Sequence, residues 1–218
     1  MTHFCSAAGS AGINKAKADF FDAQANAQWA NDNYTREEME KIEKVLTILP
    51  GLDGMTILEP GCGTGRMTSI LSEQVGNQGK VVSFDISPKM IQNAENLLAE
   101  ADNVELHCNG LEALNLKAAS FDCVFCHQVF PHFDCKPTAL KIMANALKQG
   151  GILVILHLIG MAKINDVHRK AGTAVAHDMM PDCRELKQLL AEHCFVLEHM
   201  EDMEHLYFIL AKKKVIEC

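Results

Sequence analysis

The segment ILEPGCGTGRM, residues 57–67, decides how the rest of the chain is interpreted. Two apolar residues with strand character lead to Glu59, and three glycines follow within five positions before a helix-forming segment begins. Glycine-rich turns between a strand and a helix commonly hold phosphates or nucleotides, because glycine lets the backbone approach a ligand closely. The segment therefore predicts a ligand-binding turn.

The spacing of the glycines argues against two common ligand classes. A dinucleotide fold carries G-x-G-x-x-G, whereas Gly61, Gly63 and Gly65 form G-x-G-x-G, and no Gly-Lys-Ser/Thr follows as in a phosphate-binding loop. A carboxylate at Glu59 would repel a pyrophosphate but could accept hydrogen bonds from an ammonium group or a hydroxyl. The backbone amides of the turn could hold a carboxylate. A ligand with both an amine and a carboxylate fits this turn best.

A second acidic residue lies at the end of the next predicted strand. Asp85 follows the apolar run KVVSF, and an acidic side chain at this place can hydrogen-bond both hydroxyls of a ribose. The ligand implied by Glu59 and Asp85 together is a nucleoside that carries an amino acid. That description fits S-adenosylmethionine.

Strand and helix patterns alternate from residue 55 onward. Strands are predicted at 55–60, 80–87, 103–109, 121–130 and 151–160, and helices at 65–76, 88–101 and 137–149. A helix is then predicted at 184–193, followed by strands at 195–201 and 205–213 that are close enough to pair antiparallel. Alternation with continuous apolar strands indicates an α/β fold with a parallel sheet covered on both faces.

The N-terminal region has a different pattern. About the first 18 residues are small and polar and predict a loose arm, and Thr35 with Glu38 fits the capping box of an amphipathic helix that Pro50 and Gly51 end. We therefore expect an N-terminal arm and helical cap over residues 1–50 and one globular domain over residues 51–218.

Large aromatic residues concentrate between the arm and this helix; they are Phe20, Phe21, Trp29 and Tyr34. They either pack the arm on the core or line an acceptor pocket as a lid. The stretch from Gly160 to Pro181 is long for a connection after a strand and is a second candidate lid.

Composition narrows the class of protein. The 218 residues carry a net charge of −8 without a long basic run, which argues against sequence-independent nucleic-acid binding. No apolar stretch is long enough to span a membrane, and the N-terminus does not resemble a secretory signal, so we expect a cytoplasmic protein.

The nine cysteines occur mostly singly, which predicts reduced and mostly buried thiols. Cys123 and Cys126 form a C-x-x-C, but within a strand they would point to opposite faces. A redox pair and a metal site remain the alternatives.

Five segments in order resemble the class I S-adenosylmethionine-dependent methyltransferases, especially the small-molecule branch that includes quinone-biosynthesis enzymes. They are ILEPGCGTGRMT, VVSFDISPKMIQNA, NGLEALNL, FDCVFCHQVFPHF and LKQGGILVI. The resemblance implies a Rossmann-like, doubly wound, mostly parallel sheet of seven strands with an antiparallel C-terminal strand. It also implies S-adenosylmethionine as cofactor and S-adenosylhomocysteine as product.

The resemblance assigns cofactor roles to individual positions. The methionine end would be held by Glu59 and by the backbone of the turn, formed by Gly61, Cys62, Gly63, Thr64 and Gly65. Asp85 would hold the ribose, Ile86 and Met90 would pack near the adenine, and Gly110 and Leu111 would approach its edge. The carbonyl of Cys126 would face the methionine amine.

Gly110 departs from the family pattern, since related sequences often carry an aspartate there that contacts the adenine amine. A backbone group, Asn109 or Glu112 would have to replace that contact. The departure weakens the adenine contacts but not the cofactor assignment.

Candidate catalytic residues follow the predicted strands, because ligands of open α/β sheets lie beyond the carboxyl ends of the strands. His127, His157 and His168 are the candidates for a general base or a substrate ligand, since histidine titrates near neutral pH. His132 matches a position where the family commonly has histidine and could brace the pocket wall. The four histidines could converge beside the transferred methyl group, or be ordinary core and surface residues.

A divalent metal held by these imidazoles with Asp166 or Asp178 is a further alternative, but the spacing matches no compact ligand motif, and we predict no metal. The leading hypothesis is methyl transfer to a small molecule by in-line displacement, without nucleic acid or membrane partners, by a monomer or homodimer. The alternatives are a methyltransferase for RNA or protein and a non-catalytic protein that binds S-adenosylmethionine.

Overall fold

The computed structural model describes residues 13–215. The first 12 residues of the predicted arm therefore lie outside the described part of the chain, as do Cys5, Cys218 and the residues between 215 and the C-terminus.

Eight helices and seven strands make up the described chain. The helices are α1 (Lys15–Gln24), α2 (Gln28–Asn31), α3 (Arg36–Ile48), α4 (Arg66–Val75), α5 (Pro88–Leu97), α6 (Lys136–Ala146), α7 (Met161–Lys170) and α8 (Cys183–Glu192). The strands are β1 (Thr56–Pro60), β2 (Lys80–Asp85), β3 (Val104–Cys108), β4 (Phe121–His127), β5 (Leu147–His157), β6 (Phe195–Met203) and β7 (Leu206–Lys213). Two short 3-10 helices cover Leu111–Ala113 and Phe130–His132.

The strands form one sheet in the order β3-β2-β1-β4-β5-β7-β6. The pairs from β3 to β5 are parallel, whereas β7 is antiparallel to both β5 and β6. The Rossmann-like, mostly parallel fold predicted from the sequence is confirmed. The chain leaves β1 toward β2 on one side and later returns to β4 on the other, so the strand order reverses at β1, where such sheets bind their ligands.

Alternating apolar residues of the strands divide the core between the two faces of the sheet. Ile57 packs with α3 and α4 on one face, whereas the next residue, Leu58, packs with α6 and α8 on the other. Cys123 and Cys126 fall into these two different clusters and are both fully buried, as their spacing predicted. Because α3 packs on the sheet, the helical cap and the sheet share one core.

Several elements differ from the sequence prediction, and three of these differences have a clear structural reason. The arm ends earlier than expected because α1 begins at Lys15, where the side chain of Asn14 caps the helix. β5 begins at Leu147 rather than 151, because Leu147 pairs with Phe121 across a register shift in β4. The candidate lid after β5 contains α7, whose apolar Met161, Ile164 and Val167 have helical spacing that could have revealed it.

The cysteines follow the prediction in part. Cys62, Cys123 and Cys126 are free and buried, whereas the free Cys108 and Cys194 are exposed. Cys135 departs from the expectation of reduced thiols because it is disulfide-bonded. None of the helices within residues 13–215 combines the length and the apolar character that a membrane span requires.

The central strand β5 gives a test of the fold. Leu153 is fully buried between β4 and β7, so Leu153→Ala should lower the free energy of unfolding by about 2–5 kcal/mol through lost burial and a residual cavity. Leu97→Ala is the matched control, because Leu97 lies on α5 and is 55% exposed, and this substitution should change the free energy of unfolding by less than about 1 kcal/mol. Urea unfolding followed by circular dichroism measures both, and equal losses would contradict the assigned burial.

Candidate cofactor and acceptor site

The turn after β1 depends on glycine at three positions. Gly61, Gly63 and Gly65 have φ values of +66°, +56° and +87°, a region that residues with a Cβ atom rarely adopt. A Cβ atom on Gly61 would also lie 2.3 Å from Cγ2 of Val129, and one on Gly65 would lie 3.1 Å from Cβ of Ala94. A Cβ on Gly63 would meet nothing within 4 Å, so space for a ligand opens above the middle of the turn.

Most backbone amides of the turn already donate within the chain. The amides of Gly61 and Cys62 both donate to the carbonyl of Phe84, at 2.7 and 3.0 Å, and the amide of Gly65 donates to the carbonyl of Cys62. The amide of Gly63 donates to Oδ2 of Asp85 at 2.9 Å. These bonds fix the turn to the end of β2 and make it rigid before any ligand binds.

Glu59 is buried beneath the turn, with 1% of its surface exposed, and does not line the cleft. Its Oε2 accepts hydrogen bonds from the hydroxyls of Thr68 at 2.6 Å and Ser83 at 2.7 Å. Burial raises the pKa of Glu59 to about 7 against the opposing effect of these two hydroxyls. The carboxyl group therefore titrates near neutral pH and would respond to a cation bound nearby.

Asp85 lies at the end of β2 and lines the cleft. Its two oxygens accept hydrogen bonds from the amides of Gly63 and Ser87, both at 2.9 Å. Burial raises the pKa of Asp85, while these backbone donors favour its charged form. Each carboxylate oxygen has a second lone pair, so Asp85 can still accept bonds from ligand hydroxyls.

Beyond Asp85 the cleft wall is apolar. Ile86, Met90, Gly110 and Leu111 all line it, and Met90 packs in a small buried cluster with Ala25 and other residues of the N-terminal segment. A Cβ atom on Gly110 would lie 3.7 Å from Oε2 of Glu112, which is ordinary contact, so the missing side chain leaves room there.

Besides Glu59, two predicted cofactor ligands do not line the cleft. Gly65 is the N-cap residue of α4, and Cys126 is fully buried with its Sγ 3.8 Å from Sδ of Met143. Neither lines the cleft, so the role of the Cys126 carbonyl stays a prediction.

A single large cleft of about 1690 Å³ joins this wall to the carboxyl ends of β4 and β5. The N-terminal helices cover part of it. Thr64 donates to the carbonyl of Ala30, Arg66 donates to that of Asp32 at 2.8 Å, and Asn93 donates to that of Ala25 at 2.8 Å. These contacts attach the cover to α4, α5 and the glycine turn.

The aromatic residues of the N-terminal segment line this cleft; they are Phe20, Phe21, Trp29 and Tyr34. Phe21 and Tyr34 also pack against buried clusters, so this segment both lines the cleft and packs on the core. Tyr34 also stacks under Arg66, whose guanidinium carbon lies 4.3 Å from the ring centroid.

The structure brings all four strand-end histidines to the same cleft; they are His127, His132, His157 and His168. His127 ends β4, and its Nδ1 lies 3.4 Å from the hydroxyl of Tyr34. Burial lowers the pKa of His127 to about 3 and lowers that of His157 well below its usual value. The Nε2 atoms of both residues are buried without a hydrogen-bond partner among residues 13–215. Both residues line the deep part of the cleft with neutral imidazoles, although these two Nε2 atoms are themselves buried.

His132 and Asp178, which the sequence analysis considered together only for a metal site, contact each other directly. Nδ1 of His132 lies 2.8 Å from Oδ2 of Asp178, and Nζ of Lys17 lies 2.8 Å from Oδ1 of the same carboxylate. His168 contacts the backbone carbonyl of Asp178 through its Nδ1, and its ring centroid is 4.6 Å from that of His132. Asp178 lies 46 residues from His132 in sequence, and no periodicity links the two.

The metal alternative finds no support in the described part of the chain. No group of three or more histidine, cysteine, aspartate or glutamate side chains within residues 13–215 is arranged to hold an ion.

Comparison with known proteins identifies the family. A family model described as a methyltransferase domain matches residues 52–214. The chain belongs to this methyltransferase family. The resemblance stated from the sequence is confirmed, and with it S-adenosylmethionine as the cofactor of the family.

Two individual relatives share about a third of the aligned residues with this chain. A ubiquinone/menaquinone biosynthesis C-methyltransferase of Hahella chejuensis is 31% identical over 64% of this chain and 59% of its own. A demethylmenaquinone methyltransferase of Lactococcus lactis is 35% identical over 52% of this chain and 46% of its own. The chain thus spans only about half the length of these two relatives.

A solved S-adenosylmethionine-dependent methyltransferase of Aquifex aeolicus has the same fold. Its TM-score is 0.71 at 20% identity, and the match covers 88% of this chain and 97% of that one.

The glycine turn gives the test of the site. Gly61→Ala should weaken binding of S-adenosylhomocysteine at least about tenfold, because the new Cβ would meet Val129 and the left-handed conformation would be strained. Gly51→Ala is the matched control, since Gly51 does not have a positive φ and its Cβ would meet nothing within 4 Å. Isothermal titration calorimetry measures both, and unchanged affinity in Gly61→Ala would contradict the importance of this turn.

Proposed function

We propose that this protein transfers the methyl group of S-adenosylmethionine to a small-molecule acceptor by in-line displacement. The observation that carries the proposal is a single cleft in which a rigid glycine turn with Asp85 faces the neutral imidazoles of His127 and His157. One wall suits an amino-acid nucleoside, and the other places two neutral imidazoles beside the space for a second ligand.

The chain's residues fit the cofactor. The open space above Gly63, beside the carboxylate of Asp85, has room for a ribose that donates to Asp85, and the wall from Ile86 to Leu111 is apolar enough for an adenine. The methionine end would lie over the turn from Gly61 to Gly65, with Glu59 beneath it as a counter-charge for the amine. S-adenosylmethionine would supply an electrophilic methyl group on a positively charged sulfur.

The acceptor would bind between the deep histidines and the aromatic cover. Since burial keeps His127 and His157 neutral, we infer that these two residues hydrogen-bond the acceptor and orient it rather than remove its proton. His168, on α7, would complete the wall of the acceptor site. An acceptor enclosed by Tyr34 and the N-terminal helices is a small molecule rather than a polymer.

We further propose a cytoplasmic protein that acts without a membrane or nucleic-acid partner, as a monomer or homodimer. The acidic net charge of −8 supports the absence of a nucleic-acid partner. The division into an N-terminal cap over 1–50 and a catalytic domain over 51–218 belongs to the same proposal.

Transfer of a radiolabelled methyl group tests the function. The purified protein is incubated with methyl-labelled S-adenosylmethionine and, in separate reactions, with a low-molecular-weight metabolite extract, total RNA and a protein extract. We expect label only in the metabolite reaction. Label in RNA or protein would show that the acceptor is a polymer and not a small molecule. Cofactor binding without any transfer would favour a non-catalytic binding protein.

A proton linkage tests the role of Glu59. Because the pKa of Glu59 is about 7 and a bound ammonium group would lower it, cofactor binding below that pH should release a proton. Affinity for S-adenosylhomocysteine should therefore rise as the pH is raised from about 5 and level off above about 7. Calorimetry in buffers of different ionisation enthalpy counts the released proton.

Glu59→Gln keeps the size of the side chain and a carbonyl oxygen that can accept from Thr68 and Ser83, and it should abolish the released proton. The same proton release in wild-type protein and in Glu59→Gln would show that another group is linked to binding.

A further inference from the structure

We propose that His132, oriented by Asp178, is the general base that removes a proton from the methyl acceptor. The inference rests on the proposed function and deepens it, because it names the acceptor class: a phenol, an enol or another molecule with a weakly acidic proton on or beside the atom that is methylated. His127 and His157 would bind the acceptor, and His132 would remove its proton.

The contact with Asp178 determines which nitrogen of His132 can act. An ionised carboxylate only accepts hydrogen bonds, so the 2.8 Å contact to Oδ2 places the imidazole proton on Nδ1. The lone pair then lies on Nε2, for which no hydrogen bond is found among residues 13–215. His132 lines the cleft, so this lone pair is available to an acceptor.

Asp178 is itself held in place from a third element. Lys17 of α1 is only 4% exposed, and its Nζ lies 2.8 Å from Oδ1 of Asp178 and 2.7 Å from Oδ1 of Asp134. The same ammonium group donates to the backbone carbonyl of His132 at 2.7 Å. Burying charges is expensive and seldom favours stability over apolar packing, so such a cluster in a cleft wall calls for a functional reason.

His132 is better suited as a base than the two deeper histidines. Burial lowers the pKa of His132, so the imidazole is neutral at neutral pH, but the bond to Asp178 opposes that shift and stabilises the protonated form. Among residues 13–215, no carboxylate contacts His127 or His157 to stabilise a proton once it is accepted. The charged and titratable groups that face His132 are Asp178, Lys17 and His168, and His157 is coupled to it.

The proton transfer balances with the methyl transfer. The new bond to the methyl carbon is formed by a lone pair on an acceptor oxygen, or by the electron pair left on an acceptor carbon when its proton is removed. As it forms, the bond from the methyl carbon to sulfur breaks, and the electron pair of that bond stays on sulfur. The acceptor's proton passes to Nε2 of His132, which becomes an imidazolium paired with Asp178. The imidazolium then releases the proton to water after the products leave.

The tautomer of His132 is the first test, and it does not depend on activity. Nitrogen–proton correlation spectra of protein with isotopically labelled histidine, recorded with S-adenosylhomocysteine bound, should show His132 protonated on Nδ1 only at neutral pH. Asp178→Asn should shift the proton toward Nε2, because an amide can donate to Nδ1. A proton on Nε2 in the wild-type protein would overturn the proposal.

His132→Asn is the second test, because an asparagine can still donate to Asp178 but has no atom at the place of Nε2. Calorimetry should show affinity for S-adenosylhomocysteine within about twofold of wild type, while the transfer rate falls about 10²–10⁴-fold. His107→Gln is the control, since His107 lies on β3, outside the cleft, and pairs with Glu105.

Catechol, hydroquinone and acetylacetone serve as acceptor probes beside the metabolite extract. The loss of transfer rate in His132→Asn should become smaller as the pH is raised, because the acceptor then ionises without a base. If His132 had only a structural role, the loss of transfer rate would not depend on pH. Transfer by His132→Asn at the wild-type rate would overturn the base role alone. Transfer by neither protein to any probe would overturn the proposed function together with the base role.

Discussion

The hydrogen bond from the amide of Gly63 to Asp85 is the interaction on which the rest of the site depends. It joins the turn after β1 to the end of β2, and the shared carbonyl of Phe84 reinforces the same junction. The bond is possible only because the glycines adopt positive φ values that bring the backbone over the strand end. The turn, the start of α4 and the carboxylate of Asp85 are therefore joined by hydrogen bonds before any ligand binds.

Burial sets the chemistry of both walls of the cleft, but with opposite consequences for acids and bases. Removing water raises the pKa of Glu59 and lowers those of His127 and His157, so all three groups favour their neutral forms. At His132 the contact with Asp178 opposes this effect of burial, although the pKa of His132 still lies below its usual value. This contact distinguishes His132 from His127 and His157.

The sequence predicted the central fold well because its signals are local. Continuous apolar strands, the helix caps and the G-x-G-x-G turn each lie within a few residues, and the sheet followed from their alternation. The prediction was wrong where long-range pairing decided the outcome, as at the start of β5, where Leu147 pairs with Phe121. It did not predict α7, because the apolar residues of this helix are few and lie within a polar segment.

By itself the sequence determined the family and the fold, and it placed the glycine turn next to Asp85, since both lie at the ends of neighbouring strands. It also placed four histidines near one another, because parallel strands end at the same edge of the sheet. Only the tertiary structure decided which of them is paired. His132 contacts Asp178, and Lys17 contacts both residues. The three residues lie in segments far apart in the chain, so no local sequence pattern predicts these contacts.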